Sequence, residues 1–213
     1  MEAQQLSTRE RLLRVCEDLF ARKGFAGASL REIGAALGIA NASIMYHFPS
    51  KEKLYAAVLS RIADSVRAVT EDLQGDAGDA AERIRFTLDR FADWGEAHPG
   101  YLQLVMRELM ENPDRRARAR SLYLAGALEA MRRPIDRAKA AGLLPEIDPA
   151  LFLLHLIGAV TYFTIAAPTV SRITNDPAVA ALRRGFRATL HHVVAACLTA
   201  GLAPSAPSGK GGA

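Results

Sequence analysis

The chain is 213 residues long, 50% hydrophobic, and carries 27 Lys and Arg against 23 Asp and Glu. That is enough apolar material for a sizeable core, as one domain or as a small domain beside a larger one. The formal charge of +4 permits a nucleic-acid partner without requiring one, and two cysteines, Cys16 and Cys197, each in an apolar helical pattern, read as buried thiols rather than a disulfide framework.

Taken in order, residues 1–6 read as a loose, polar start without the apolar core of a signal peptide. Ser7 with Glu10 forms a capping box that opens a helix. Leu12, Cys16, Leu19 and Phe20 share one face of it, and Arg9, Arg11, Arg14, Arg22 and Lys23 lie largely off that face. Gly24 ends the helix and Phe25 folds back onto it. Ser29 with Glu32 makes a second capping box, followed by Leu30, Ile33 and Leu37 at helical spacing and a stop at Gly38. The next short segment turns Ile39, Ile44 and Phe48 inward, which leaves Asn41, Ser43, Met45, Tyr46 and His47 for the free face. Two short helices joined at a glycine are the signature of a helix-turn-helix, whose second helix enters the DNA major groove.

These residues carry a resemblance. Gly24-Phe25, Ser29 with Ile33 and Ala36, Gly38-Ile39, and the run Tyr46-His47-Phe48-Pro49-Ser50-Lys51-Glu52 together resemble the DNA-binding domain of TetR-type transcriptional regulators. The match covers roughly the first quarter of the chain; the rest resembles the family in length and helical pattern. The resemblance implies DNA contacts at Ser29, Asn41, Tyr46, His47 and Lys51. It also implies a larger half in which a ligand alters the spacing of two DNA-reading domains. Two positions depart from the family's habit: Ala40 stands where Ser or Thr often caps the recognition helix, and Met45 where Tyr is common. Residue chemistry adds Ser43, a small polar group near the start of that helix, and Arg31, within reach of backbone or base edge. Met45 has the chemistry to meet a thymine methyl.

Downstream, Pro49-Ser50 breaks the chain and Ser50 caps a helix from 51 to about 73, with Leu54, Val58, Leu59, Ile62 and Val66 as its stripe. It is long enough to belong to both halves, so movement at its far end drags the helix-turn-helix. Residues 74–78 form a glycine-bearing loop. A helix over 79–98 places Ile84, Leu88, Phe91 and Trp94 together, and His98-Pro99-Gly100 stops it. A helix over 101–111 has Leu102, Val105, Met106 and Leu109 as its apolar set. Arg115, Arg116, Arg118 and Arg120 read as a solvated helix face leading into Leu122, Leu124, Leu128 and Met131, with a kink or break expected at Pro134. Asp148 caps an apolar helix over 149–167 that Pro168 ends, and Pro177 opens a last helix to about 199. The apolar run over 150–167 is shorter than the ~20 residues of a membrane span, so a buried helix in a cytoplasmic protein is expected, with no membrane partner. No strand-like alternation of useful length occurs.

The expected fold is therefore all-α. Residues 1–50 form a helix-turn-helix DNA-binding domain, 51–202 a helical bundle for ligand binding and dimerisation, and 203–213, a low-complexity tail, are disordered. No phosphate-cradling glycine loop or nucleophile elbow is present, and the five histidines show no metal-ligand spacing, so no enzyme, cofactor or metal is expected. A short recognition helix reads few base pairs, which calls for a homodimer on palindromic double-stranded operator DNA. The expected interface uses the last two helices, with Leu153, Leu156, Gly158 and Val160 on one and Phe186, Leu190, Val193, Val194 and Cys197 on the other. Trp94, Met106, Phe152, His155, Tyr162 and Phe163 combine apolar area with polar handles, the composition of a small-molecule effector pocket. The reading is a transcriptional repressor released by a small apolar or aromatic ligand. A helical ligand-binding protein with a vestigial helix-turn-helix is the alternative, favoured by Ala40 and Met45 alone.

Overall fold

The computed structural model describes residues 6–71, 79–111, 124–144, 146–174 and 179–200. Among them every regular element is a helix: α1 Thr8–Gly27, α2 Leu30–Leu37, α3 Asn41–His47, α4 Lys51–Glu71, α5 Ala80–Ala97, α6 Pro99–Glu111, α7 Ala125–Ala140, α8 Pro149–Ile173 and α9 Val179–Ala200. The tail over 203–213, the loop over 74–78 and the arginine run over 115–120 lie outside the described residues.

The N-terminal helices begin where their caps dictate. Ser7 Oγ accepts from the Glu10 amide at 3.3 Å while the Glu10 carboxylate accepts from the Ser7 amide at 2.9 Å, so two otherwise orphaned amides are satisfied. Gly24 interrupts α1 at φ 71°. The break turns Phe25 back so that its ring lies 6.4 Å from Phe20 and 5.0 Å from Tyr55. Leu12, Cys16, Leu19 and Phe20 are buried as their spacing requires. Burial pushes the Cys16 thiol up to about 12, which leaves it inert as a nucleophile at neutral pH; Cys197 is also a free thiol.

α4 connects the two halves. It packs on α1 at one side and on α5 and α7 at the other, with Leu54, Val58, Leu59, Ile62 and Val66 all buried. α5 is the centre of the larger half, in contact with α4, α6, α7, α8 and α9, and Ile84, Leu88, Phe91 and Trp94 form its inner stripe. The break between α5 and α6 is one residue: His98 caps α5, and Pro99 starts α6, a position that tolerates a missing amide. Asp148 caps α8 by accepting from the Ala150 and Leu151 amides, each at 2.9 Å.

The stop expected at Pro168 is corrected, and at Pro134 the chain does not break. α7 runs through Pro134, and α8 runs through Pro168 to Ile173. Each proline deletes one intrahelical bond, and the packing of α7 and α8 against α5 and each other holds the rest of the ladder. α8 is consequently 25 residues, long and apolar enough to cross a membrane by length and composition, so length does not exclude a span as expected. Its Phe152, Leu153, Leu156 and Val160 are buried in the helical core.

Faces of three helices are also rotated from expectation. On α6 the buried residues are Leu102, Leu104 and Glu108, whereas Leu109 is exposed. On α8 and α9 the residues assigned to a dimer face, Leu153, Leu156, Val160, Leu190 and Val194, are buried within the single chain. Leu151, Leu154, His155, Gly158, Tyr162 and Ile173 are exposed on α8, and Gly185, Thr189, His192, Val193 and Ala196 on α9. α8 is apolar almost all round, so composition did not distinguish its two sides.

Candidate nucleic-acid interface

The turn between α2 and α3 is built by backbone geometry. Gly38 sits in the left-handed region at φ 68°, where its lack of a Cβ removes the strain. Its amide donates to Ala35 O at 3.4 Å and the Ile39 amide to Gly34 O at 3.0 Å, the two bonds of a Schellman ending. Gly34 is required for a different reason: a Cβ there would meet the Ile39 carbonyl oxygen at 2.7 Å. Ile33 and Ile44, both fully buried, and Phe48 anchor the pair on the core. α2 opens with the expected capping box, in which the Glu32 carboxylate accepts from the Ser29 amide at 2.9 Å and the Glu32 amide donates to Ser29 Oγ at 3.2 Å. Lys23 Nζ also donates to Glu32, and this bond, with those from Ser29, holds the carboxyl down at about 2. α3 has no side-chain cap, because its N-cap is Ala40.

Ser29, Arg31, Asn41, Ser43 and Tyr46 are exposed, and His47 and Lys51 are partly so. Tyr46 is 85% exposed and its ring stands 5.3 Å from that of His47. Lys51 Nζ lies 4.5 Å from the Phe25 ring centroid, and the Arg9 guanidinium 5.2 Å from that of Phe48. Both cations are thus placed by aromatic faces. Asn41 lies closer to α2 than expected: its Oδ1 is 3.3 Å from the position a Gly34 Cβ would take. The seven candidate contact residues are carried by α2 with its N-cap Ser29, by α3 and by the first residue of α4.

The six residues grouped as a pocket are not brought to one cavity. Trp94 is buried, with Nε1 donating to Ser65 Oγ of α4 at 2.8 Å. Phe152 is buried and Met106 half-buried. Phe163 stacks on Phe186 at 4.1 Å and serves the α8–α9 contact. His155 and Tyr162 are the correction: both are exposed, Tyr162 at 75%. They project from the side of α8 opposite Phe152, Leu156 and Val160.

A second set of residues, which the sequence did not single out, fastens α4 and α6 to each other and to α1. Tyr55 Oη of α4 donates to Glu108 Oε2 of α6 at 2.7 Å in a buried site. Arg107 of α6 donates to the Ala21 and Arg22 carbonyls at 3.3 and 3.4 Å and pairs with Glu111 at 2.7 Å. Arg61 of α4 pairs with Glu17 of α1 at 3.0 Å. Burial and a hydrogen bond to Glu17 raise the Tyr101 phenol of α6 to about 12. No local signal in the sequence marks this contact, because the burial of Leu104 and Glu108 on one face of α6 emerges only in the fold.

The comparisons agree with this geometry. Residues 12–58 match the model for bacterial regulatory proteins of the tetR family. The transcriptional regulator RutR of Escherichia coli is 27% identical over 173 residues, 76% of each chain. The transcriptional repressor NicS of Pseudomonas putida is 26% identical over 166 residues, 76% of this chain and 78% of its own. The fold is shared with the transcriptional regulator FadR of Bacillus subtilis in complex with stearoyl-CoA, at a TM-score of 0.68 and 15% identity over 88% of this chain and 98% of that one. Residues 12–58 thus match the tetR-family model, and over about three quarters of its length the chain is similar to HTH-type transcriptional regulators.

Proposed function

We propose that the chain is a cytoplasmic homodimeric repressor that binds a palindromic operator and is released by a small, largely apolar effector. The observation that carries the DNA half is the set Ser29, Arg31, Asn41, Ser43 and Tyr46, exposed, with His47 and Lys51, half-buried, on a helix-turn-helix fixed by Gly34 and Gly38. Residues 1–50 act as the reader and 51–202 as the effector and dimerisation unit. Similarity to a protein named as a repressor supports repression, and fold similarity to a regulator solved with stearoyl-CoA supports an apolar effector.

The dimer uses the outer sides of α8 and α9. Leu151, Leu154, Gly158 and Tyr162 form a stripe of three- and four-residue steps along α8, with Ile173 exposed eleven residues further on, and Gly185, Thr189, Val193 and Ala196 form another such stripe on α9. Exposed apolar stripes of this extent mark an association surface. The inner sides hold each protomer together instead. Arg187 of α9 pairs with Asp93 and Glu96 of α5 at 2.5 and 3.2 Å, and His191 with Asp89 at 2.9 Å.

The effector site lies inside the larger half around Trp94, Met106 and Phe152, and His155 and Tyr162 belong to the dimer face. The coupling runs through α4 and α6: Tyr55–Glu108 and Trp94–Ser65 fasten α4 to α6 and α5, and Arg107 of α6 reaches the reader at the Ala21 and Arg22 carbonyls. A ligand acts only through its differential affinity for the DNA-incompetent state. The test is a gel shift on the DNA upstream of the chain's own gene, with apolar and aromatic compounds added and Trp94 fluorescence followed in parallel. Release by a compound that also changes the fluorescence supports the reading. Release without a Trp94 response, or a response without release, removes Trp94 from the switch.

A further inference from the structure

We propose that Met45, beside Ala42, reads the C5-methyl group of a thymine in each operator half-site. The inference rests on the DNA-binding reading and adds a base preference to it. Ile44 and Phe48, 0% and 4% exposed, fix the rotation of α3. At about 100° per residue, Ala42 and Tyr46 point directly away from those anchors, with Met45 flanking Ala42 and Ser43 flanking Tyr46. All four are exposed.

The chemistry of that outer face is unusual for a reader of base edges. Residues 41–47 contain no Arg, Lys or Gln, three of the side chains that make bidentate contacts to guanine or adenine. Their single amide, Asn41, lies against α2. Beside the hydroxyls of Ser43 and Tyr46, what the helix offers at the groove is an apolar pair. Met45 leaves 41% of its surface in water, and Ala42 has no bulk to hold the helix off the base edges. The apolar feature that base pairs present in the major groove is the thymine methyl. A flexible thioether stem adapts to its position, and the contact removes both groups from water.

The test uses duplexes selected by the full-length chain from a randomised library. Each symmetric pair of thymines is then replaced by deoxyuridine, which deletes the methyl and keeps every hydrogen-bonding group. At one thymine per half-site the change should weaken binding about fourfold, and about fifteenfold when both half-sites are changed, the value of one buried methyl-sized group at each. Met45→Ala should bind the thymine and uracil duplexes within about twofold of each other, and Met45→Leu should restore the discrimination. Because Met45 is on the surface, thermal unfolding of both variants should match the parent. Indifference of the parent chain to uracil at every position overturns the proposal, as does a full uracil penalty in Met45→Ala. Failure to enrich any sequence would instead remove the DNA-binding reading beneath it.

Discussion

The reader and the effector half are held together by different kinds of information. In α1–α3 the decisive interactions are local. Capping boxes span three residues, the Schellman turn at Gly38 spans five, and Gly34 admits the Ile39 carbonyl five residues on. In α5–α9 they are distant: Arg187 reaches Asp93, His191 reaches Asp89, and Phe163 stacks on Phe186. Local rules specify which residue faces where, whereas distant packing selects among several apolar faces of the same helix.

That contrast is most exposed to test on α8, where two leucines two positions apart are assigned opposite roles. Leu154→Arg, on the outer side, should leave the protomer folded and cost dimerisation about 3 kcal/mol or more, since two copies would bury unpaired charges; sedimentation should show monomers at micromolar concentration. Leu156→Arg, 2% exposed in the core, should unfold the chain itself. Unfolding by Leu154→Arg would reverse the face assignment.

A corresponding contrast sets a glycine of the reader against one of the larger half. Gly34→Ala places a Cβ 2.7 Å from a backbone oxygen, an overpacking that costs about 1–3 kcal/mol and should reduce binding of a selected duplex to the level of a scrambled one. Gly126→Ala in α7 meets its nearest neighbouring atom, Arg67 Cδ, at 3.9 Å and should be neutral or stabilising by up to about 1 kcal/mol. Thermal unfolding and gel shifts on both variants check this.

The contact between the connecting helix α4 and α6 comes next in size. Tyr55→Phe removes the hydrogen bond to Glu108, at a cost of about 1–2 kcal/mol. It should also weaken the effector's influence on DNA binding more than DNA binding itself, read as the shift in duplex affinity at saturating effector.

The smallest effect belongs to the α2 cap. Ser29→Ala should cost about 1 kcal/mol. The Glu32 carboxyl is held near 2 by Lys23 and Ser29, below its ordinary range, so its stabilisation is complete above about pH 4.5 and is lost as pH falls toward 2. Glu32→Gln should lack that portion of the acid sensitivity. Thermal midpoints of parent and variant should converge as the pH is lowered through this window; a constant gap would contradict the assignment.

The same division explains what was readable beforehand. Both capping boxes, the stop at Gly38 and the burial of Ile44 and Phe48 follow from residues close in sequence, and they were legible. So were the stripes of α4 and α5, whose apolar residues keep a helical period. The outer face of α8 was not, because Leu151, Leu153, Leu154 and Leu156 offer apolar material on every side and only packing on α5 chooses between them. On α6, Glu108 lies on the buried face because Tyr55, 53 residues away, supplies its partner. His155 and Tyr162 were grouped with Trp94 and Phe152 by composition, and the rotation of α8 separates them. The continuation of α8 through Pro168 likewise depends on neighbours that a local rule does not see.

The most direct test is the affinity of the full-length chain for a duplex it selects, set against a scrambled duplex of the same composition, measured over a range of salt concentrations. A specific reader should prefer the selected duplex by about 10³-fold or more at physiological salt. Lys51→Ala should weaken both complexes and lower the salt slope by about 1 for each phosphate that Lys51 neutralises. Equal affinities for the two duplexes at every salt concentration would contradict the account.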